Sequence, residues 1–104
     1  MKDQIKEAIE YKDLNVKDLS DAQELIEALD YDGTLHEIVD GNIDHSYYEL
    51  RKWAVDCYEF VEEAMEEGLC EGVTDFHKLI QCGQYVALMR EAVEACEELF
   101  EEMS

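Results

Sequence analysis

Proline is absent from the 104-residue sequence, glycine occurs only five times, and no Gly/Ser-rich stretch or internal repeat interrupts it. Nothing therefore divides the chain into modules, and a length of this order holds one core, so a single domain over residues 1–104 is expected. Basic side chains are scarce, eight against twenty-eight acidic ones, which leaves a net charge of −20. A field of that sign repels nucleic acid and anionic lipid and attracts basic protein, so neither direct nucleic-acid binding nor membrane association is expected. No apolar run nears the roughly 20 residues that cross a bilayer. Met1 to Glu10 is amphipathic and charged, unlike a secretory leader, and the expected compartment is the cytoplasm. CxxC pairs are also missing. Cys57, Cys70, Cys82 and Cys96 stand singly, so no metal site and no secreted disulfide framework is expected of them.

What is present is an apolar fraction of 47%, far above that of a disordered acidic tail, so the charge belongs to the surface of something that folds. Lys2 to Tyr11 carries Ile5, Ala8 and Ile9 at helical spacing, and Leu14, Val16 and Leu19 form a short extended or turn-like connection. Ser20 to Gln23, Thr34 to Glu37 and Ser46 to Glu49 each fit the capping box, which marks three helix starts. The first of these helices places Leu25, Ile26 and Leu29 on one face before Asp32-Gly33 breaks it. From Ser46 to Glu67 a stripe through Tyr47, Leu50, Trp53, Ala54, Cys57, Val61, Ala64 and Met65 predicts one long amphipathic helix ending at Gly68. A second long helix is predicted from Thr74 or Asp75 to the end, with Phe76, Ile80, Gly83, Val86, Val93, Cys96 and Phe100 on its apolar side. The small Gly83 invites close approach of another helix. The expected fold is all-α, a compact bundle of about four to five helices, two of them long and acidic-faced.

The acidic faces are the main anomaly. Glu59, Glu62, Glu63, Glu66 and Glu67 fall three and four apart on the first long helix, and Glu94, Glu97, Glu98 and Glu101 do so on the second. Such like-charge neighbours cost a few tenths of a kcal/mol each, and almost no lysine is supplied to offset them. Residues 55–104 hold fourteen acidic and two basic side chains, a net of −12, against fourteen and six, a net of −8, in residues 1–54.

Local motifs point elsewhere only weakly. Asp30-Tyr31-Asp32-Gly33-Thr34 has the DxDGT form of phosphohydrolases with an aspartyl nucleophile. That chemistry needs the motif at the end of a buried strand, whereas Ala22 to Leu29 is helical in period, so a helix break is expected and no catalytic residue is assigned. His36-Glu37 lacks the second histidine of HExxH, Asp40 standing in its place. Asp40, Asn42 and Asp44 alternate as calcium ligands do, without the glycine and terminal glutamate of that loop. No metal and no cofactor is expected.

Twenty charges correspond to about 34 Å of duplex DNA, which is also about the diameter of a domain of this size. Carboxylates on rigid helices thus offer a phosphate-like array. The stretch from Leu35-His36-Glu37 through the Asp40-Gly41-Asn42 turn to Ser46-Tyr47-Tyr48-Glu49-Leu50, and the later helix from Asp75 through Leu79-Ile80 and Gln84-Tyr85 into Glu94 to Glu102, resembles the Ocr-like phage antirestriction proteins. The likeness covers about two thirds of the chain. It implies a homodimeric acidic DNA mimic that inhibits a type I restriction-modification enzyme, or a related defence complex, by filling its DNA groove in the host cytoplasm. The phosphate-mimicking residues are then Glu59, Glu62, Glu63, Glu66, Glu67, Glu94, Glu97, Glu98 and Glu101. The alternative is an acidic helical adaptor or chaperone for a basic partner, recognised through an exposed aromatic such as Tyr48, Tyr58 or Tyr85.

Overall fold

A computed structural model describes residues 1–103; the side chains of Tyr47 and Phe76, placed on apolar faces by the sequence pattern, lie outside the described set. The described residues form helices and no strand: α1 (Lys2–Tyr11), a 3-10 turn (Val16–Asp18), α2 (Ala22–Leu29), α3 (Thr34–Gly41), α4 (Tyr47–Asp56), α5 (Tyr58–Glu66) and α6 (Phe76–Met103). The all-α expectation holds, but six α-helices replace the anticipated four to five. The difference lies at Cys57, where the predicted Ser46–Glu67 helix divides as the backbone leaves the helical region (φ −126, ψ 30). Two forces favour the break. Val55-Asp56-Cys57-Tyr58 are all weak helix formers. A new helix also puts Glu59 in a first turn, where the dipole stabilises a carboxylate.

The chain divides into two compact units, residues 1–41 together with the chain from Met89 onward, and Asn42–Leu88. In the first unit α3 packs on both α1 and α2. Each short helix buries a pair one turn apart, Ile5 and Ile9, Leu25 and Leu29, Leu35 and Val39. The α6 segment of this unit buries Ala92, Cys96 and Leu99 at i, i+4 and i+7, together with Ala95. Carboxylates take over two of the caps the sequence assigned to hydroxyls. Asp21, not Ser20, accepts from the Glu24 amide at 2.9 Å, while the Glu24 carboxylate accepts from the Ser20 amide at 2.8 Å. A full negative charge is the stronger acceptor at a helix N-terminus.

α1 ends in a Schellman turn: the Leu14 amide donates to the Ile9 carbonyl at 3.2 Å and the Asp13 amide to that of Glu10 at 3.1 Å. The residue in the left-handed position is Asp13, at φ 54, where a side chain is strained. Asp13→Gly should therefore stabilise the protein by about 0.5–1 kcal/mol, read as a higher urea midpoint at unchanged slope. A lower midpoint would show that the aspartate supplies a compensating local bond.

In the second unit α4 packs on α5. Leu50, Val61 and Ile80 form one buried cluster, flanked by Trp53, Ala54 and Leu79. Ala64, Cys70 and Val86 form another, flanked by Phe60, Val73 and Cys82. α5 also closes with a Schellman turn, Leu69 to Ala64 at 3.0 Å and Gly68 to Met65 at 3.1 Å, and Gly68 takes the left-handed position at φ 77. Gly83 of α6 meets α5 closely: a Cβ there would lie 2.5 Å from Val61 Cγ2 and 2.9 Å from the Val61 nitrogen. The break at Cys57 sets the phase of α5, so that Val61 and Ala64 are buried while Met65, expected on the apolar stripe, is 57% exposed.

Candidate interaction surface

The nine glutamates singled out by spacing fall on or at the end of α5, in the second unit, and on the stretch of α6 beyond Met89, in the first. Glu59, Glu62, Glu63 and Glu66 lie on α5, with Glu67 as its C-cap; Glu94, Glu97, Glu98 and Glu101 lie on α6. All are solvent-exposed except Glu63, which is half-buried. On each helix four of them climb at i, i+3, i+4 and i+7, so with a rise of about 1.5 Å per residue the mean step is about 3.5 Å per carboxylate. One strand of duplex DNA advances about 3.4 Å per phosphate.

The rows are placed against the helix electrostatics. Glu63 and Glu66 occupy the last turn of α5, and Glu101 and Glu102 the last turn of α6, where the backbone carbonyls make the helix end negative; neither turn holds a basic residue. Some members have partners. Glu98 pairs with Lys2 of α1, which raises the lysine pKa through the hydrogen bond to that carboxylate. Glu62 accepts from the Tyr58 hydroxyl, a contact that raises the phenol's pKa. Glu63 and Glu101 have interactions of their own. The Lys2 pairing was invisible in the sequence because it joins residues 96 apart.

The DxDGT segment sits between α2 and α3. Asp30 Oδ1 accepts from the Leu35 and His36 amides at 3.1 and 3.2 Å, and Asp30 Oδ2 lies 2.6 Å from His36 Nδ1. Asp32 Oδ1 accepts from Lys12 Nζ at 2.5 Å and from the Thr34 hydroxyl at 2.5 Å. Those bonds, the lysine's first, hold the Asp32 carboxyl down at about 2. Lys12 also donates to the Leu29 carbonyl at 2.9 Å, tying the end of α1 to the end of α2. Both aspartates thus serve the start of α3, the role the sequence had given to Thr34 as cap. Gly33 makes the turn at φ 81.

The suspected calcium-like alternation is likewise engaged locally: Asp44 Oδ1 accepts from the Ser46 amide at 2.8 Å, which lowers its pKa. His45 Nδ1 is hydrogen-bonded to the Gln81 amide nitrogen at 2.7 Å. Among the described residues no group of three or more His, Cys, Asp or Glu is placed to hold a metal ion. Burial pushes the thiols of Cys70 and Cys96 up to about 11, that of Cys70 with help from a hydrogen bond to Cys82. At neutral pH both are protonated and poor nucleophiles. Among the described residues no helix is long and apolar enough to cross a membrane.

No family model, curated protein or solved structure matches the chain. The reading of its surface therefore stands on the residues themselves. Of the aromatics named as recognition candidates, Tyr48 and Tyr58 are exposed and Tyr85 is half-buried. Tyr11 and Tyr31, which the sequence reading passed over, are more exposed still, at 92% and 93%.

Proposed function

We propose that the protein is a DNA mimic that inhibits a DNA-binding defence enzyme, a type I restriction-modification complex above all, by presenting its carboxylate rows to the enzyme's DNA groove. The observation that carries this reading is the placement of exposed glutamates at the negative ends of α5 and α6 with no basic residue in either last turn. That arrangement opposes helix stability. Selection for folding or solubility alone favours lysine at some of those positions, and a net charge of −20 exceeds the magnitude of about 2–8 that keeps a small domain soluble. The match between about 3.5 Å per carboxylate and about 3.4 Å per phosphate supports the same reading. The resemblance to the Ocr-like proteins adds that two copies act together and that the host cytoplasm is the place of action.

The mimic binds no nucleic acid itself; it competes with it. Added in excess at low ionic strength, it should displace labelled duplex DNA from a type I enzyme and stop both cleavage and methylation. The inhibition should weaken steeply between about 50 and 200 mM salt, as phosphate contacts do. Restriction and methylation that continue at low salt, in that enzyme and in other DNA-handling defence complexes, would end the proposal. An acidic adaptor is the second reading, favoured by the exposed Tyr48 and Tyr58; it predicts binding to a basic protein without displacement of DNA.

A further inference from the structure

α1 and α3 wall an open groove in the first unit, with a volume of about 560 Å³. Each helix contributes the same triplet at i, i+1 and i+4: a carboxylate, an aliphatic residue, and one turn later a residue at the helix end. These are Glu7, Ala8 and Tyr11 on α1, and Glu37, Ile38 and Gly41 on α3. The opposite sides of the two helices are occupied, since Ile5, Ile9, Leu35 and Val39 are buried. Ala8 and Ile38 are only half-buried, and both glutamates are exposed. A Cβ added at Gly41 would meet nothing within 4 Å, so the groove is unobstructed at that end.

Two packed helices that each present positions at helical spacing leave a furrow whose natural filler is a ridge of side chains from a third helix. The floor is aliphatic, formed by the half-buried Ala8 and Ile38, and an occupant's apolar side chains would complete their burial. The rim selects its charge: Glu7 and Glu37 call for Lys or Arg, and the exposed ring of Tyr11 offers a face to a guanidinium. A second copy of this chain is a poor occupant of this groove, because it has only eight basic side chains to set against Glu7 and Glu37.

We propose that the α1–α3 groove seats a basic amphipathic helix of a partner protein, its apolar side chains over Ala8 and Ile38 and its Lys or Arg side chains against Glu7, Glu37 and Tyr11. No residue of the α5 and α6 carboxylate rows lines this groove, and the proposal does not rest on DNA mimicry.

The probe is a fluorescein-labelled Leu/Lys peptide of about 15 residues with leucine at i, i+3, i+4 and i+7, beside a peptide of the same composition with the leucines scrambled. At about 0.15 M salt, where diffuse attraction is screened, the amphipathic peptide should bind the full-length protein about tenfold tighter than the scrambled one. Ala8→Trp, which fills the floor, and Gly41→Leu, which fills the open end, should each remove that advantage while leaving the scrambled peptide's affinity unchanged. Far-UV circular dichroism checks the fold of both variants, and the Cβ of Gly41→Leu meets nothing within 4 Å. Equal binding of the two peptides to the wild-type protein, or an advantage that survives Gly41→Leu, overturns the proposal. So does self-association in sedimentation that Gly41→Leu abolishes, since the groove then belongs to a second copy.

Discussion

Replacing Glu59, Glu62, Glu66 and Glu67 by glutamine should weaken inhibition of the target enzyme about thirtyfold, and replacing Glu94, Glu97 and Glu101 about tenfold. These figures take each exposed charge pair as contributing about 0.5 kcal/mol. The combined variant should lose several hundredfold in affinity, roughly the product, because contacts on separate helices add. Glu98 is kept, since its loss would strand Lys2. The same substitutions should raise thermal stability. They remove like-charge neighbours such as Glu62 and Glu66, or Glu97 and Glu101, and relieve the negative ends of both helices, at about 0.2–0.5 kcal/mol per pair. Titration of inhibition, read beside a melting curve, separates the readings. A DNA mimic loses function in proportion to charge while gaining stability. If instead Tyr48→Ala or Tyr58→Ala alone costs more than about 2 kcal/mol of binding and the glutamine variants cost little, the surface is an adaptor's hot spot.

Gly83→Ala should destabilise the second unit by about 2–3 kcal/mol. Alanine normally gains about 1 kcal/mol over glycine inside a helix, so the sign itself is diagnostic. The added methyl group would stand 2.5 Å from Val61 Cγ2, 2.9 Å from the Val61 nitrogen and 3.0 Å from its Cα. A side-chain atom can rotate away; two backbone atoms cannot, and α5 must shift from α6. The cost corresponds to a fall of about 10–20 °C in melting temperature for a domain of this size. Trp53 is the sole tryptophan and flanks the cluster that contains Val61, so its fluorescence reports the change where it occurs. Val61→Ala in the same chain should restore only part of the loss, because it removes Cγ2 and leaves the backbone contacts. A Gly83→Ala protein as stable as the wild type would mean that the two helices are not in contact at this point. As a comparison, Gly41 has open space around it.

The short helices of the first unit were legible in the sequence because each buries residues at i and i+4, as Ile5 and Ile9 or Leu25 and Leu29 do. The interruption at Cys57 was not, since Leu50, Ala54, Val61 and Ala64 keep the helical period across it. Its local cause, the run of weak helix formers from Val55 to Tyr58, lies beneath an apolar stripe that does not change phase. Caps were legible in place and less so in identity. Ser46 is the N-cap expected of it, accepting from the Glu49 amide at 3.4 Å, whereas Asp21 and Asp30 displaced nearby hydroxyls because a carboxylate binds helix amides more strongly. The glutamate rows needed only counting. The α1–α3 groove needed the structure, because matching triplets in two distant segments mean nothing until the helices lie side by side. Gln84 was missed for a different reason: a polar residue amid an apolar pattern reads as a surface position, yet it is 1% exposed and its Oε1 has no hydrogen-bond partner among the described residues.

The division of the chain has a consequence for the order of events during synthesis. Asn42–Leu88 is one uninterrupted stretch, so that unit has all its residues as soon as Leu88 has left the ribosome. The other unit is assembled from residues 1–41 and the chain beyond Met89, and its Lys2–Glu98 pair closes over nearly the whole sequence. That unit therefore closes only once the chain beyond Met89 has been made, although α1, α2 and α3 can pack on one another before it. The row on α5 is in place before the row on α6, and a nascent chain released early presents one acidic helix and not two.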